Sequence, residues 1–263
     1  MIQLHEVGMT FPGGATALHP LSIAFGRGEF TVLLGHSGAG KSTLLRCLNF
    51  LNRPSSGRIT ITGIGQLHHS KALRLHRRAT GMIFQHHHLI PRQSVLENVL
   101  LGRLGYHSAW RSLFPLPRHE RFLALEVLDR VGLLHKALER ADSLSGGEQQ
   151  RVGIARALVQ KPQIMLADEP VASLDPASSH KILSLLHAIC KEDDITAIVS
   201  LHQVELARHY ADRIVGMRAG KVVLDGRPAQ FSERDLAELY SQNIASDISK
   251  PVAPQGAALL FNL

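Results

Sequence analysis

Gly35-His36-Ser37-Gly38-Ala39-Gly40-Lys41-Ser42-Thr43 follows the spacing G-x-x-x-x-G-K-[ST]. Ahead of it, Phe30-Thr31-Val32-Leu33-Leu34 reads as a buried strand, and the run from Thr43 through Leu44, Leu45, Arg46, Cys47 and Leu48 reads as the start of a helix. Strand, glycine-rich turn and helix, in that order, make a phosphate cradle. The glycines let successive backbone N–H groups close around phosphate oxygens, and the helix N-terminus adds partial positive charge. Within such a cradle Lys41 reaches the β and γ phosphates and Ser42 ligates Mg²⁺.

Further along, Ile164-Met165-Leu166-Ala167 and Ile195-Thr196-Ala197-Ile198-Val199 are almost wholly apolar. Strands of that kind belong in a parallel sheet covered on both faces, whose ligands collect at the strands' carboxyl ends. Asp168 and Glu169 stand at one such end. Asp168 is placed to hold Mg²⁺ against bound phosphates, and Glu169 to orient or deprotonate an attacking water. A second phosphate-facing element follows from Leu144-Ser145-Gly146-Gly147-Glu148-Gln149-Gln150-Arg151. Ser145 and Glu148 have the spacing of a capping box, so a helix starts here, and the bare Gly146 and Gly147 at its N-terminus offer another anion-binding surface.

The 263 residues suffice for one large α/β domain with a substantial core. At 44% apolar and 19% charged the composition is that of a globular chain, and no apolar run is long enough to cross a bilayer. Met1-Ile2-Gln3-Leu4-His5-Glu6 lacks the pattern of a signal peptide, and a cytosolic protein is the expectation. Cys47 and Cys190 fall in separate helix-like segments and read as small buried side chains, not as a disulfide framework or a zinc site. A formal charge of +7 suits nucleic acid, anionic lipid or anionic ligands alike, but 5% aromatics argue against a stacking platform for single strands.

Residues 1 to 30 read as antiparallel strands punctuated by Gly13-Gly14 and Gly26-Arg27-Gly28. Phe11, beside one of these turns, is either a flat face for a base or an ordinary core aromatic. Residues 57 to 66 give another strand and turn, and the run Leu67 to Arg78 is a solvated basic helix face or an anion site. Gly81-Met82-Ile83-Phe84 is a strand ending at Gln85. From Leu89 to Val159 the period is helical, interrupted near Phe114-Pro115-Leu116-Pro117, which marks an inserted subdomain. Arg213 to Gly226 reads as a hairpin turning at Arg218-Ala219-Gly220-Lys221. No internal repeat is evident, so the chain is one nucleotide-binding unit.

Leu-Ser-Gly-Gly-Glu-Gln-Gln-Arg at 144–151, standing between the phosphate loop and the Asp168-Glu169 strand, is the signature of the ATP-binding-cassette (ABC) family, and the chain resembles that family over nearly its whole length. Gln85 falls at the family's Q-loop, Ser173-Leu174-Asp175-Pro176 at its D-loop and His202 at its switch histidine, while Phe11 resembles the aromatic that stacks on adenine. The resemblance implies an α/β fold with a RecA-like P-loop NTPase core, an N-terminal antiparallel β lobe and an inserted helical subdomain at about 89–159. Residues 1–245 would form one domain and 246–263 a tail. It implies a head-to-tail homodimer, with ATP between residues 35–43 of one copy and Ser145, Gly146 and Gly147 of the other, and Asp175 nearby. Glu169, His202 and Gln85 take catalytic roles in this reading, and Ser42, Gln85 and Asp168 hold Mg²⁺.

Within the family, Gly102-Arg103-Leu104-Gly105, Ala109-Trp110-Arg111-Ser112-Leu113-Phe114, Ile164 to Pro176 and Val199-Ser200-Leu201-His202-Gln203-Val204 are similar to the ATP-binding subunit of phosphonate importers. Phosphite importers use very similar subunits. The implied partners are a transmembrane permease and a periplasmic or extracellular binding protein, the implied location is the cytoplasmic face of the membrane, and nucleic acid is not an expected partner. The segment Leu89 to Arg121 would face the permease, with Arg103, Arg111, Arg118 and Arg121 near lipid headgroups. His86-His87-His88 departs from the branch and reads as polar surface beside the Q-loop in preference to a metal site. A soluble ABC ATPase acting on nucleic acid and a phosphotransferase of the phosphate-loop class are the rival readings.

Overall fold

The computed structural model describes residues 1–86, 88–108, 110 and 114–240. His87, Arg111 and the tail 246–263 therefore lie outside the described residues. Two sheets organise the chain. One is antiparallel, in the order β2 (Thr16–Phe25), β1 (Ile2–Thr10), β4 (Ser56–Ile61), β5 (Gly65–Gln66). The other runs β10 (Lys221–Gly226), β9 (Arg213–Arg218), β3 (Phe30–Leu34), β8 (Thr196–Ser200), β7 (Ile164–Asp168), β6 (Thr80–Ile83). In this second sheet every pairing is parallel except the β9–β10 hairpin at its edge.

The alternation of side chains along the parallel strands divides the interior into two cores. Phe30, Val32 and Leu34 of β3, Met165 and Ala167 of β7, and Ala197 and Val199 of β8 point to one face. They pack there against α5 (Gly146–Leu158), α6 (Pro176–Glu192) and α7 (Val204–Tyr210). The alternate residues Leu33, Leu166 and Ile198 meet α1 (Lys41–Leu48) and the antiparallel sheet on the other face, through Leu44, Leu45, Phe25 and Ile59. Both faces are thus covered, which is why these strands read as continuous apolar runs. A short α8 (Glu233–Glu238) closes the described chain, with Leu236 and the following Leu239 buried in the first core.

Between β6 and β7 the described residues form α3 (Val95–Leu100), α4 (Arg118–Arg130) and α5, joined by turns. These helices share the first core with the parallel sheet. Two sequence expectations change in this part of the molecule. Arg103 does not face outward: its guanidinium stacks 3.8 Å from the centre of the Tyr106 ring and pairs with the buried Glu120 at 2.6 Å. A cation so paired is turned away from lipid, whereas Arg118 and Arg121 are exposed. The basic run 67–78 forms α2 (Ser70–Ala79), but His76 on it is buried and hydrogen-bonded to the Leu48 carbonyl at 2.7 Å. Burial pushes that imidazole's pKa down, so it packs as a neutral core side chain.

The phosphate loop depends on close backbone approach. Gly35 has φ 150°, and a Cβ there would lie 2.2 Å from the Met217 carbonyl oxygen of β9. Gly35→Ala should therefore destabilise the fold by about 2 kcal/mol or more, read as a lower chemical-denaturation midpoint. Burial also pushes the thiol of Cys47 up to about 11 and that of Cys190 to about 12. Both should resist a thiol reagent at pH 8 in the native protein and react once denaturant is added.

Candidate functional site

Three neighbouring parallel strands deliver the site's residues at their carboxyl ends: β3 ends before Gly35, β7 on Asp168, and β8 on Ser200. The register sets Ser200 opposite both Leu33 and Asp168. Gly40, at φ 101°, caps α1, and Ala17 and Leu18 of β2 press so close that a Cβ at Gly40 would sit 2.8 Å from the Ala17 carbonyl. The antiparallel sheet thereby buttresses the phosphate loop. Ala39 is buried, while His36, Ser37 and Gly38 are exposed where a ligand can meet their backbone N–H groups.

Lys41 is 3% exposed and donates to the carbonyls of Gly35, at 2.7 Å, and His36, at 3.0 Å. Burial lowers its pKa, opposed by the nearby carboxylates of Glu169 and Asp168. The Ser42 hydroxyl donates to Asp168 Oδ1 at 2.8 Å, and the Ser200 hydroxyl donates to the same oxygen at 3.0 Å. Ser200 Oγ in turn accepts the Glu169 N–H at 2.8 Å, and Glu169 Oε1 lies 2.5 Å from His202 Nε2. One hydrogen-bonded run therefore links Ser42, Asp168, Ser200, Glu169 and His202. Glu169 has φ 49°, a left-handed backbone that costs energy in a residue other than glycine and marks functional positions.

The structure brings together Gly35 to Thr43, Asp168, Glu169 and His202. Gln85 is exposed just past β6 and, among the described residues, makes no hydrogen bond to Ser42 or Asp168; it lines a cavity with His86, Gln149 and Ser173. Phe11 sits on the hairpin between β1 and β2 and is 37% exposed, so the core-aromatic alternative falls away. His86 and His88 are exposed beside Gln85. Ser200 is the functional residue that sequence reasoning missed. Its signal, a hydroxyl at the end of an apolar run, is common at strand ends and acquires meaning only through the register with Asp168.

The second anion-facing element forms a separate cavity of about 750 Å³, lined by Ser145, Gly146, Gly147, Ser173 and Asp175 among others. Both the N–H and the hydroxyl of Ser145 donate to the Glu148 carboxylate, at 2.9 and 2.8 Å, and Lys136 meets its other oxygen at 2.7 Å. Asp175 caps α6, accepting the Ser178 N–H at 3.0 Å.

A strand-to-helix phosphate loop, an acidic strand end and a helix-opening Ser-Gly-Gly on one α/β chain define a phosphate-loop nucleoside triphosphatase of the cassette type. A family model described as ABC transporter matches residues 18–172, and the chain belongs to the ABC transporter family. The phosphonates import ATP-binding protein PhnC 1 of Trichodesmium erythraeum is 58% identical over 96% of this chain and all of its own length. The phosphite import ATP-binding protein PxtA of Stutzerimonas stutzeri is 59% identical over 92% of this chain and 87% of its own. Among solved structures, the cassette MJ0796, a dimer in a post-hydrolysis state bound to ADP and Pi, superposes with TM-score 0.76 at 34% identity over 87% of this chain and 99% of its own. The fold is that of an ABC nucleotide-binding domain, with its RecA-like core and antiparallel lobe. No helix among the described residues is long and apolar enough to cross a membrane.

Hydrogen bonds from Lys136, first, and then from Ser145 hold the Glu148 carboxyl down to about 2. A depressed acid stabilises the fold above its unfolded pKa of about 4.3 and loses that contribution as pH falls toward 2. Between pH 5 and 3 the urea midpoint of the wild-type protein should therefore fall more steeply than that of Glu148→Gln, every other carboxylate being common to both.

Proposed function

We propose that the protein is the ATP-hydrolysing subunit of a prokaryotic ABC importer for phosphonates, working as a homodimer beneath a membrane permease fed by a phosphonate-binding protein. The observation that carries the ATPase assignment is the hydrogen-bonded run from Ser42 through Asp168 and Ser200 to Glu169 and His202. Full-length relatives named for phosphonate import support the cargo. In this reading residues 1–245 are one cassette carrying the helical subdomain 89–159, and 246–263 is an appended tail.

The Ser42 hydroxyl and the Asp168 carboxylate offer hard oxygen donors with no thiolate or imidazole between them, a set that fits Mg²⁺. Bound there, Mg²⁺ would neutralise charge on the β and γ phosphates. The chain's own residues do the rest. Residues 35–43 hold the phosphates by backbone N–H groups, and Lys41 exchanges its carbonyl partners for phosphate oxygens. Glu169 takes a proton from the attacking water, and His202 keeps the Glu169 carboxylate oriented and meets the γ-phosphate. Phe11 offers its exposed face to the base. Gln85, which lines a cavity apart from Ser42, would join Ser42 and Asp168 in holding Mg²⁺. Ser145, Gly146 and Gly147 line a cavity without any residue of the phosphate loop, which suits a nucleotide held across two copies with Asp175 at the seam.

Glu169→Gln should keep ATP binding and accumulate a stable dimer in gel filtration with ATP, because the amide preserves shape without basicity; near-normal turnover would overturn the role of Glu169. Lys41→Ala should weaken ATP binding by tenfold or more in calorimetry, the loss of a charge-assisted contact in a buried cradle. The phosphite relative gives a second reading for the cargo alone. ATPase stimulation in proteoliposomes by binding protein loaded with a phosphonate, and weaker stimulation with phosphite, supports the first; the reverse order supports the second, and stimulation by DNA or RNA instead would overturn both.

A further inference from the structure

The last described residue, Tyr240, joins two loops of the site that are far apart in sequence. Its phenol donates to the main-chain carbonyl of His202 at 2.8 Å, and its own carbonyl accepts from His36 Nε2 at 2.5 Å. The His36 and Tyr240 rings meet edge to face with centres 5.3 Å apart. His36 directly follows Gly35 in the phosphate loop, and His202 touches Glu169. Both polar ends of Tyr240 thus contact elements that bear on the nucleotide.

We propose that Tyr240 is a positioning residue for ATP hydrolysis: it fixes the backbone of His202, and through it the angle at which the His202 imidazole meets Glu169, while pinning the phosphate loop at His36. This rests on the roles given above to Glu169 and His202. The helix α8 does not need Tyr240 as its anchor. Leu236 and Leu239 are 1% and 2% exposed, and Leu239 fills the space beside Gly216, where a Cβ would come within 2.9 Å of it. With the leucines securing the segment, the tyrosine's polar groups are available for orientation. Burial raises the phenol's pKa, so it remains a donor throughout the neutral range. A tyrosine brings a rigid ring with few rotatable bonds, and it therefore transmits the position of α8 to both loops with little slack.

Tyr240→Phe removes the phenol's bond to the His202 carbonyl and its contact with the Gly35 backbone, and keeps the ring, the main-chain carbonyl and the leucine anchors. In the full chain, kcat for ATP should fall about tenfold with KM for ATP within twofold and the melting temperature unchanged. Hydrogen exchange in nucleotide-free protein should accelerate in residues 200–206 and nowhere in β1 or β2. In a His202→Ala background the same substitution should cost nothing further, since the group it orients is gone. If His202→Ala itself hydrolyses ATP normally, the reading of His202 fails. If His202→Ala is impaired but Tyr240→Phe matches wild type in kcat and exchange, the Tyr240 proposal alone is overturned. A Tyr240→Phe defect that appears as lowered melting temperature with raised KM, or that adds fully to His202→Ala, likewise overturns it.

Discussion

The hydroxyl of Ser200 is the point on which the site turns. It donates to Asp168 and accepts from the main chain of Glu169, so one side chain on β8 fixes both acids at the end of β7. Neither contact exists without the strand register that pairs Asp168 with Ser200. That register is held by side chains pointing alternately into two separate cores, and a one-residue slip would exchange the residues facing each core. Hydrophobic burial far from the chemistry therefore sets the placement of the acids to within the tolerance of a hydrogen bond. The strain carried by Glu169 at φ 49° persists because its N–H and its carboxylate are each held by a partner.

Electrostatics in the cradle follow from the same geometry. Lys41 is buried among carbonyls and two carboxylates, which offset part of the desolvation of its charge, although burial still lowers its pKa. Asp168 tolerates 3% exposure because two hydroxyls donate to it.

Most of this architecture is legible in the sequence because the elements that matter repeat a local rule. The uniform apolar runs at 164–167 and 195–199 announce a sheet covered on both sides, and Ser145 with Glu148 announces the start of α5. The phosphate loop is legible because its function requires glycine at Gly35 and Gly40, where the backbone of β9 and of β2 leaves no room for a Cβ. What stays hidden depends on partners distant along the chain. Arg103 reads as a surface cation until Glu120 and Tyr106 are seen beside it, and His76 reads as part of a solvated face until the Leu48 carbonyl is found behind it. Ser200 and Tyr240 share this property, being ordinary residue types whose roles are created by packing across 32 and 38 residues respectively.

The distribution of these long-range contacts carries a consequence for how the site is kept intact. Every residue of the run from Ser42 to His202 is fastened to a second element: Ser42 to β7, Asp168 to β8, and His202 to the segment after α8. A loop held only by its own strand would reorient at the cost of a local backbone rotation. Here reorientation of any one loop breaks a hydrogen bond belonging to a neighbour, and the exposed positions that can respond to a ligand are few: His36, Ser37 and Gly38 by their N–H groups, and the edge of the His202 ring. The site is rigid in its frame and adaptable only where phosphate and water would arrive, which is the division of labour that positioning chemistry requires.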